Sequence, residues 1–316
     1  MPDPSLPPAD QALVTLVRSL AERGYGFVTA TPLSHARVNA RPGNAEARNL
    51  RDVFGWSRPF RPNLLPPPML DLMRAGGVLA EAGGMLRSLL RVSSLEGMLF
   101  LHSAFPTAEA DAVFFGPDTY RFANAILAEL ERRQAPVRRA VDIGCGAGPG
   151  GILVARARPD AAVAMVDING AALRLARVNA VLAGASNAEA RHSDLLSGVE
   201  GEFDLVVANP PYLVDPAQRA YRHGGGDLGA GLSLAILDAA LARLAPGGTL
   251  VLYTGAAVVK GEDPFRSAAE ERLAGSGARW RYREMDPDVF GEELETPAYA
   301  GADRIAAVVL TVNRRE

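Results

Sequence analysis

The 316-residue sequence predicts an α/β protein built on a doubly wound, mostly parallel sheet, preceded by a smaller and mainly helical N-terminal domain. Three observations carry this expectation. From residue 138 onward, short apolar runs alternate with helix-length segments, the pattern of parallel strands joined by crossover helices. The first run is Val141-Asp142-Ile143, which feeds the glycine-rich turn Gly144-Cys145-Gly146-Ala147-Gly148 and then a helix. A later run, Phe203 to Ala208, stops at Asn209-Pro210-Pro211-Tyr212, where two prolines forbid further strand pairing.

Taken in order, residues 1–8 are proline-rich and expected to be disordered. Leu13, Leu16, Val17 and Leu20 recur at helical spacing between Ala9 and Arg23, and Gly24 ends the run. Asn44 is a candidate N-cap for a helix over 44–55, and Pro66 to Pro68 precede a short helix near 69–75. In 86–103, apolar residues flank Ser93-Ser94-Leu95-Glu96-Gly97, which predicts a β-hairpin turning there. Helices followed by a hairpin give residues 1–105 a winged-helix-like character, and they are expected to recognise the substrate. Residues 106–316 form the second domain. A connection over 105–118 leads to a helix over 119–133. Strands are expected at 138–143, 162–168, 188–193, 203–208, 248–254, 278–284 and 304–312. Helices are expected at 149–158, 170–183, 230–244 and 264–274. The acidic stretch before the last strand is too short for a crossover helix, so that strand should run antiparallel. In such sheets ligands lie beyond the carboxyl ends of the strands. The chemistry is therefore expected in the loops at 143–150, 167–169, 194–196 and 209–213.

Composition narrows the class. Apolar residues make up 48%, yet no apolar run reaches the length of a membrane span, and the N-terminus lacks the pattern of a secretory signal. Cys145 is the only cysteine, which excludes an intrachain disulfide and cysteine-cluster metal sites and fits a cytoplasmic protein; no metal and no membrane partner are expected. The net charge of −3 argues against binding nucleic acid by charge alone. Residues 1–105, however, hold eleven Arg against eight Asp and Glu, an excess suited to an acidic partner.

The glycine turn ahead of a helix suits an anionic or polar ligand. It also fits a dinucleotide fingerprint, with Asp167 at the spacing of a ribose-binding acid, so an oxidoreductase stays open on this feature alone. Three acids favour S-adenosylmethionine. Asp142 on the strand suits the ammonium of a methionine moiety and would repel a pyrophosphate. Asp167 ends the next strand, where it can accept from ribose hydroxyls. Asp194 ends the third, where an adenine amino group needs an acceptor.

Pro210 forces Asn209 into an extended conformation, and the two prolines remove two N–H donors. The carbonyls of Asn209 and Pro210, with the Asn209 side chain, can then grip the hydrogens of a planar NH2 group, and Tyr212 offers a ring for stacking. On these residues, 138–254 resemble the class I S-adenosylmethionine-dependent methyltransferases with a Rossmann-like seven-stranded sheet. The Asn-Pro-Pro-Tyr loop resembles their N-methyltransferase branch, which includes release-factor glutamine, adenine N6 and ribosomal-RNA guanine N2 methyltransferases. Phe115-Gly116-Pro117-Asp118-Thr119 is similar to a segment that closes over the cofactor's methionine end in the glutamine enzymes, although Gly116 stands where that family usually has Arg. The resemblance implies cofactor contacts from Phe115, Pro117 and Thr119, from Gly144, Cys145, Gly146, Ala147 and Gly148, and from Asp167, Ile168 and Leu195. It puts Asn209 beside both cofactor and acceptor, Pro211 at the acceptor, and Asn209, Pro210 and Tyr212 in catalysis. The expected acceptor is a planar amide or exocyclic amine, with protein glutamine ahead of an RNA or DNA base and a small molecule third; a cofactor-binding scaffold without catalysis is the contrasting class. Arg222 and His223 are read as a flexible surface loop, with substrate contact as the alternative, Cys145 as a small packed residue and His192 as structural. Tyr25, Trp56 and Phe60 are read as core, and Glu292, Glu293 and Glu295 as solvated.

Overall fold

The structure, a computed structural model, describes residues 6–107, 109–219 and 221–316. The disorder expected of residues 1–8 lies outside the described residues for 1–5, and Pro8 already opens a helix. Helix α1 (Pro8–Glu22) starts on that proline and buries Leu13, Leu16, Val17 and Leu20. Helix α2 (Pro32–Asn39) is capped by the Thr31 hydroxyl, which accepts from the Ser34 amide at 3.2 Å. Helix α3 (Leu50–Phe54) is shorter than the expected 44–55. Its cap is Asn49, which accepts from the Asp52 amide at 3.0 Å, whereas Asn44 instead donates to the Val38 carbonyl. Helix α4 (Pro67–Ala75) follows the proline triplet.

Two antiparallel hairpins come next, where one was expected. Strands β1 (Leu79–Ala82) and β2 (Met85–Ser88) pair around Gly83-Gly84, so residues 86–88 belong to this first hairpin. Strands β3 (Leu90–Leu95) and β4 (Met98–Ser103) pair with Leu95 opposite Met98, leaving a two-residue turn at Glu96-Gly97. Both turn residues have positive φ, 49° and 72°, the twist that a two-residue hairpin requires.

The remainder is the expected sheet. Helix α5 (Pro117–Arg132) precedes β5 (Arg139–Ile143), α6 (Pro149–Ala157), β6 (Ala162–Asp167), α7 (Gly170–Ala183), β7 (Ala188–His192) and β8 (Phe203–Ala208). Then come α8 (Gly231–Arg243), β9 (Leu244–Val258), α9 (Pro264–Leu273), β10 (Arg279–Asp286) and β11 (Arg304–Asn313). The seven strands lie in the order β10-β11-β9-β8-β5-β6-β7. Strand β11 pairs antiparallel with both β9 and β10, as the short acidic connection implied; between them lie only the 3-10 turns Gly291–Glu295 and Pro297–Tyr299. Along β5, Val141 and Ile143 face the α8–α9 core, while Ala140 and Asp142 face α6.

The chain winds outward from β5 to β6 and β7, then returns to β8 on the other side of β5. This reversal opens the crevice in which doubly wound sheets bind ligands. Ile143 and Ala208 are partners in the β5–β8 ladder, so the glycine turn and the Asn209 loop leave the sheet side by side.

The N-terminal region shares its core with the sheet domain. Leu13, Phe54 and Met73 cluster with Leu175 and Val178 of α7. Asn179, fully buried, accepts from the Leu101 amide at 2.8 Å and donates to the carbonyls of Leu101 at 3.0 Å and Ala147 at 2.9 Å. Arg174 pairs with Asp10 at 2.6 Å.

Candidate cofactor and acceptor site

A cleft of about 210 Å³ opens at the switch point between β5 and β8. Its cofactor-side wall is the glycine turn. Gly144, Gly146 and Gly148 take φ of 67°, 53° and 86°. Gly148 has a second constraint: a Cβ there would lie 3.1 Å from the Met165 sulfur and 3.2 Å from Ala176 Cβ. The Asp142 carboxylate accepts from the Gly151 amide at 2.7 Å and so caps α6, a helix whose N-cap glycine has no side chain. Burial pushes the Asp142 carboxyl up to about 7; the Gly151 amide opposes this and the charge of Asp167 adds to it.

Asp167 ends β6 and ties the turn to α7. One oxygen accepts from the Gly146 amide and the other from the Asn169 amide, both at 2.9 Å. Burial raises its carboxyl above the usual range against those amides. Ile168 beside it is 57% exposed, an apolar face presented to the cleft. Asp194 is exposed at the end of β7, and Leu195 follows it with φ 50°. The third wall is the Asn209 loop. Among the described residues, no hydrogen bond is made by the Asn209 side chain or accepted by the carbonyls of Asn209 and Pro210.

Tyr212 is seated more deeply than a free stacking ring. It is 6% exposed, its hydroxyl donates to Asp118 at 2.8 Å, and its ring lies over Gly255, where a Cβ would come within 2.2 Å of it. Phe290 meets it edge-on at 5.9 Å between ring centroids. Beyond Tyr212 the chain is knitted rather than loose. Leu213 exchanges backbone bonds with Arg222 and Gly224, and Asp215 takes Arg219 in a two-point pair. Arg222 pairs with Glu293, which is only 7% exposed; the expectation of a solvated Glu293 is corrected, because Arg222 compensates its burial.

The cleft is lined by Thr119, Asp142, Gly144 to Ala147, Asp167, Ile168, Asp194, Leu195 and Asn209 to Tyr212. Three expected contacts do not line it. Phe115 is fully buried, stacked 4.9 Å from His102, and its neighbour Phe114 faces the cleft instead. Pro117 starts α5 behind the wall, and Gly148 is enclosed by Met165 and Ala176. Sequence reasoning missed Phe114, Phe122, Tyr221 and Phe290 on the lining. The alternation of Phe114 with Phe115 was the one local signal; Phe290 lies 78 residues beyond Tyr212 and carried none. Cys145 is buried, as read, and burial holds its thiol well above the usual range, so it is no nucleophile. Phe60 is fully buried, while Tyr25 and Trp56 are half-buried in edge contacts with Phe54 and Phe27.

Residues 109–258 match the family described as the methyltransferase small domain. The release factor glutamine methyltransferase of Deinococcus radiodurans is 35% identical over 201 residues, 59% of this chain and 66% of that protein. This segment is a class I S-adenosylmethionine-dependent methyltransferase domain. Ribosomal RNA small subunit methyltransferase C of Haemophilus influenzae is 38% identical to the chain over 84 residues, 26% of this chain and 25% of that protein. The 4-amino-L-phenylalanine/4-methylamino-L-phenylalanine methyltransferase of Streptomyces pristinaespiralis is 30% identical over 184 residues, 54% and 60% of the two chains. The chain thus spans less than two thirds of the length of these three curated relatives. Trm5b of Pyrococcus abyssi shares the fold at a TM-score of 0.50 and 16% identity, over 75% of this chain and 62% of that one. The cleft of the methyltransferase domain fits the cofactor chemically. Ammonium, ribose hydroxyls and adenine amine are all hydrogen-bond donors; of the four carboxylates that line the cleft, Asp118 is taken up by Tyr212 and Tyr253, and Asp142, Asp167 and Asp194 remain as acceptors on apolar walls. Among the described residues no group of acids, histidines and cysteine could hold a metal, and no helix is long and apolar enough to cross a membrane.

Proposed function

We propose that the chain is an N-methyltransferase acting on a planar nitrogen, an amide or an exocyclic amine, with a protein glutamine as the first candidate. One observation carries the reading. Asn209 and Pro210 line the cleft, and among the described residues neither the Asn209 side chain nor the carbonyls of Asn209 and Pro210 have a protein partner, on a backbone stiffened by two prolines and anchored by Tyr212. Bound S-adenosylmethionine supplies an electrophilic methyl group. The chain's own residues position both partners. Asp142, Asp167 and Asp194 accept from the cofactor's donors, while the glycine turn and Ile168 shape its bed. Asn209 and the two carbonyls accept from the acceptor's N–H groups. Holding both hydrogens turns a delocalised lone pair out of the amide plane and toward the methyl group. Orientation of this kind is worth up to about 7–11 kcal/mol. Phe114 and Phe290 line the same cleft and offer apolar surface to a planar group.

Residues 1–105 are assigned to substrate recognition, in a cytoplasmic protein. The 35% identity over 201 residues to a release factor glutamine methyltransferase supports the protein acceptor. The excess of Arg in residues 1–105 and the 38% identity over 84 residues to a ribosomal RNA methyltransferase support a second reading, a nucleobase amine. Tritiated methyl transfer to a lysate from cells lacking the protein separates them. Label that survives nuclease and is lost to protease supports the first; the reverse supports the second; label in neither protein nor nucleic acid refutes both macromolecular readings.

A further inference from the structure

Asp118 is 4% exposed in the first turn of α5, and the transfer chemistry above leaves it without a role. Its carboxylate is fully engaged. Tyr212 donates to Oδ2 at 2.8 Å, Tyr253 donates to Oδ1 at 2.6 Å, and Arg121 approaches Oδ1 at 3.2 Å. The two tyrosines lie 94 and 135 residues away in sequence. Arg121 in turn reaches Asp286 at 2.6 Å, at the foot of the segment that carries Phe290. A buried carboxylate costs stability unless it is paired, so an anion here is a specific commitment of the fold.

We propose that Asp118 is a positioning residue for the acceptor loop: it holds the Tyr212 ring down on Gly255 and so sets the direction in which Asn209 and its two neighbouring carbonyls face. The lever is short. Among the described residues, 209–211 make no side-chain hydrogen bond, the two prolines fix their own φ angles, and Pro210 restricts Asn209 to extended backbone. The attitude of the loop therefore follows from its anchors, the Ala208 end of β8 and the Tyr212 side chain. The anchor of Tyr212 stands on α5, whose Thr119 also borders the cleft, so one helical turn touches both halves of the site. Tyr253 binds the other oxygen from within β9 and does not border the cleft, which makes it the natural control.

This assignment rests on the reading of residues 209–212 as the acceptor loop, and the test keeps the two apart. Tyr212→Phe, Asp118→Asn, their double variant and Tyr253→Phe are compared in two assays. In tritiated methyl transfer to the lysate at saturating cofactor, Tyr212→Phe and Asp118→Asn should each lose about ten-fold or more in rate. The double variant should fall no further than the worse single, because both act through the same Tyr212–Asp118 bond. Affinity for S-adenosylhomocysteine should stay within about three-fold of wild type. In hydrogen exchange with S-adenosylhomocysteine bound, peptides covering 209–216 should exchange faster in Tyr212→Phe and Asp118→Asn. Tyr253→Phe should lose thermal stability yet keep rate and exchange near wild type. If Tyr253→Phe loses as much as Tyr212→Phe, Asp118 is only structural and the proposal fails. Unchanged exchange in Tyr212→Phe overturns it as well. If the wild type transfers no methyl group, the functional reading falls, and the exchange comparison still decides the role of Asp118.

Discussion

Asn179 ties the N-terminal region to the cofactor turn, and its replacement has a calculable cost. Fully buried, it makes three hydrogen bonds, to the amide and carbonyl of Leu101 and to the carbonyl of Ala147. Asn179→Ala leaves one donor and two acceptors buried without partners. Each orphaned group costs roughly 1–3 kcal/mol, with the amide at the upper end and partial relaxation reducing the total. We expect a loss of about 3 kcal/mol. Two-state proteins somewhat smaller than this one shift by about 2–4 °C per kcal/mol, so the melting temperature should fall by roughly 6–12 °C. Asn179→Asp should do at least as badly, because it keeps the bond from the Leu101 amide but turns a carboxylate toward two carbonyls. Urea unfolding and thermal melts read both. A loss under about 0.5 kcal/mol for Ala, or tolerance of Asp, would refute the claim that this side chain joins the two parts of the chain.

The remaining predictions concern the cleft. The folded pKa of Asp142, raised from 3.8 to about 7, lies above its unfolded value, so the folded state holds the proton more tightly between those limits. The stability it contributes is therefore full below about pH 4 and lost as pH climbs through about 7, roughly 4 kcal/mol at the most. Asp142→Asn should flatten that part of the stability profile, and unchanged curvature would count against the assignment. Cofactor affinity should tighten from pH 6 to pH 8 as Asp142 ionises, a trend that calorimetry should find missing in Asp142→Asn. Asp167→Ala should weaken S-adenosylmethionine by about 10-fold or more through loss of a charge-assisted bond, and calorimetry should detect no binding of NAD; NAD binding alone would reverse the cofactor assignment. Gly255→Ala pushes a methyl group into the Tyr212 ring and should cost about 1–3 kcal/mol together with turnover. Full activity in that variant would mean that Tyr212 can move without consequence.

The sheet was legible because its strands are apolar runs that end in residues with a reason to stop there: Asp142 before glycines, Asp167 before an Asx cap, Asn209 before prolines. Strand β9 begins earlier and ends later than expected, at Leu244 and Val258, because a bridge from Leu244 to Phe203 of β8 extends its start and pairing with β11 as far as Val258 extends its end. The N-terminal region was harder to read. Helix α2 has little apolar periodicity and is held by its Thr31 cap and by contacts of His35 with Trp56 and Phe105. Gly83-Gly84 carried a hairpin signal that the glycines alone did not anchor to flanking strands. In the site, single motifs were visible as such. Their assembly was not: nothing local joins Tyr212 to Asp118 across 94 residues, or brings Phe290 against the ring of Tyr212. Those contacts follow from the order of strands, which a linear pattern does not carry.

The central claim is that the Asn209 loop aims an acceptor nitrogen at the cofactor's methyl group. Its most direct measurement compares wild type and Asn209→Ala in tritiated methyl transfer at equal cofactor occupancy, fixed by calorimetry on the same preparations. The account predicts a rate lower by about a hundred-fold or more in the variant, with cofactor affinity within about three-fold. Near-full transfer by Asn209→Ala would contradict it.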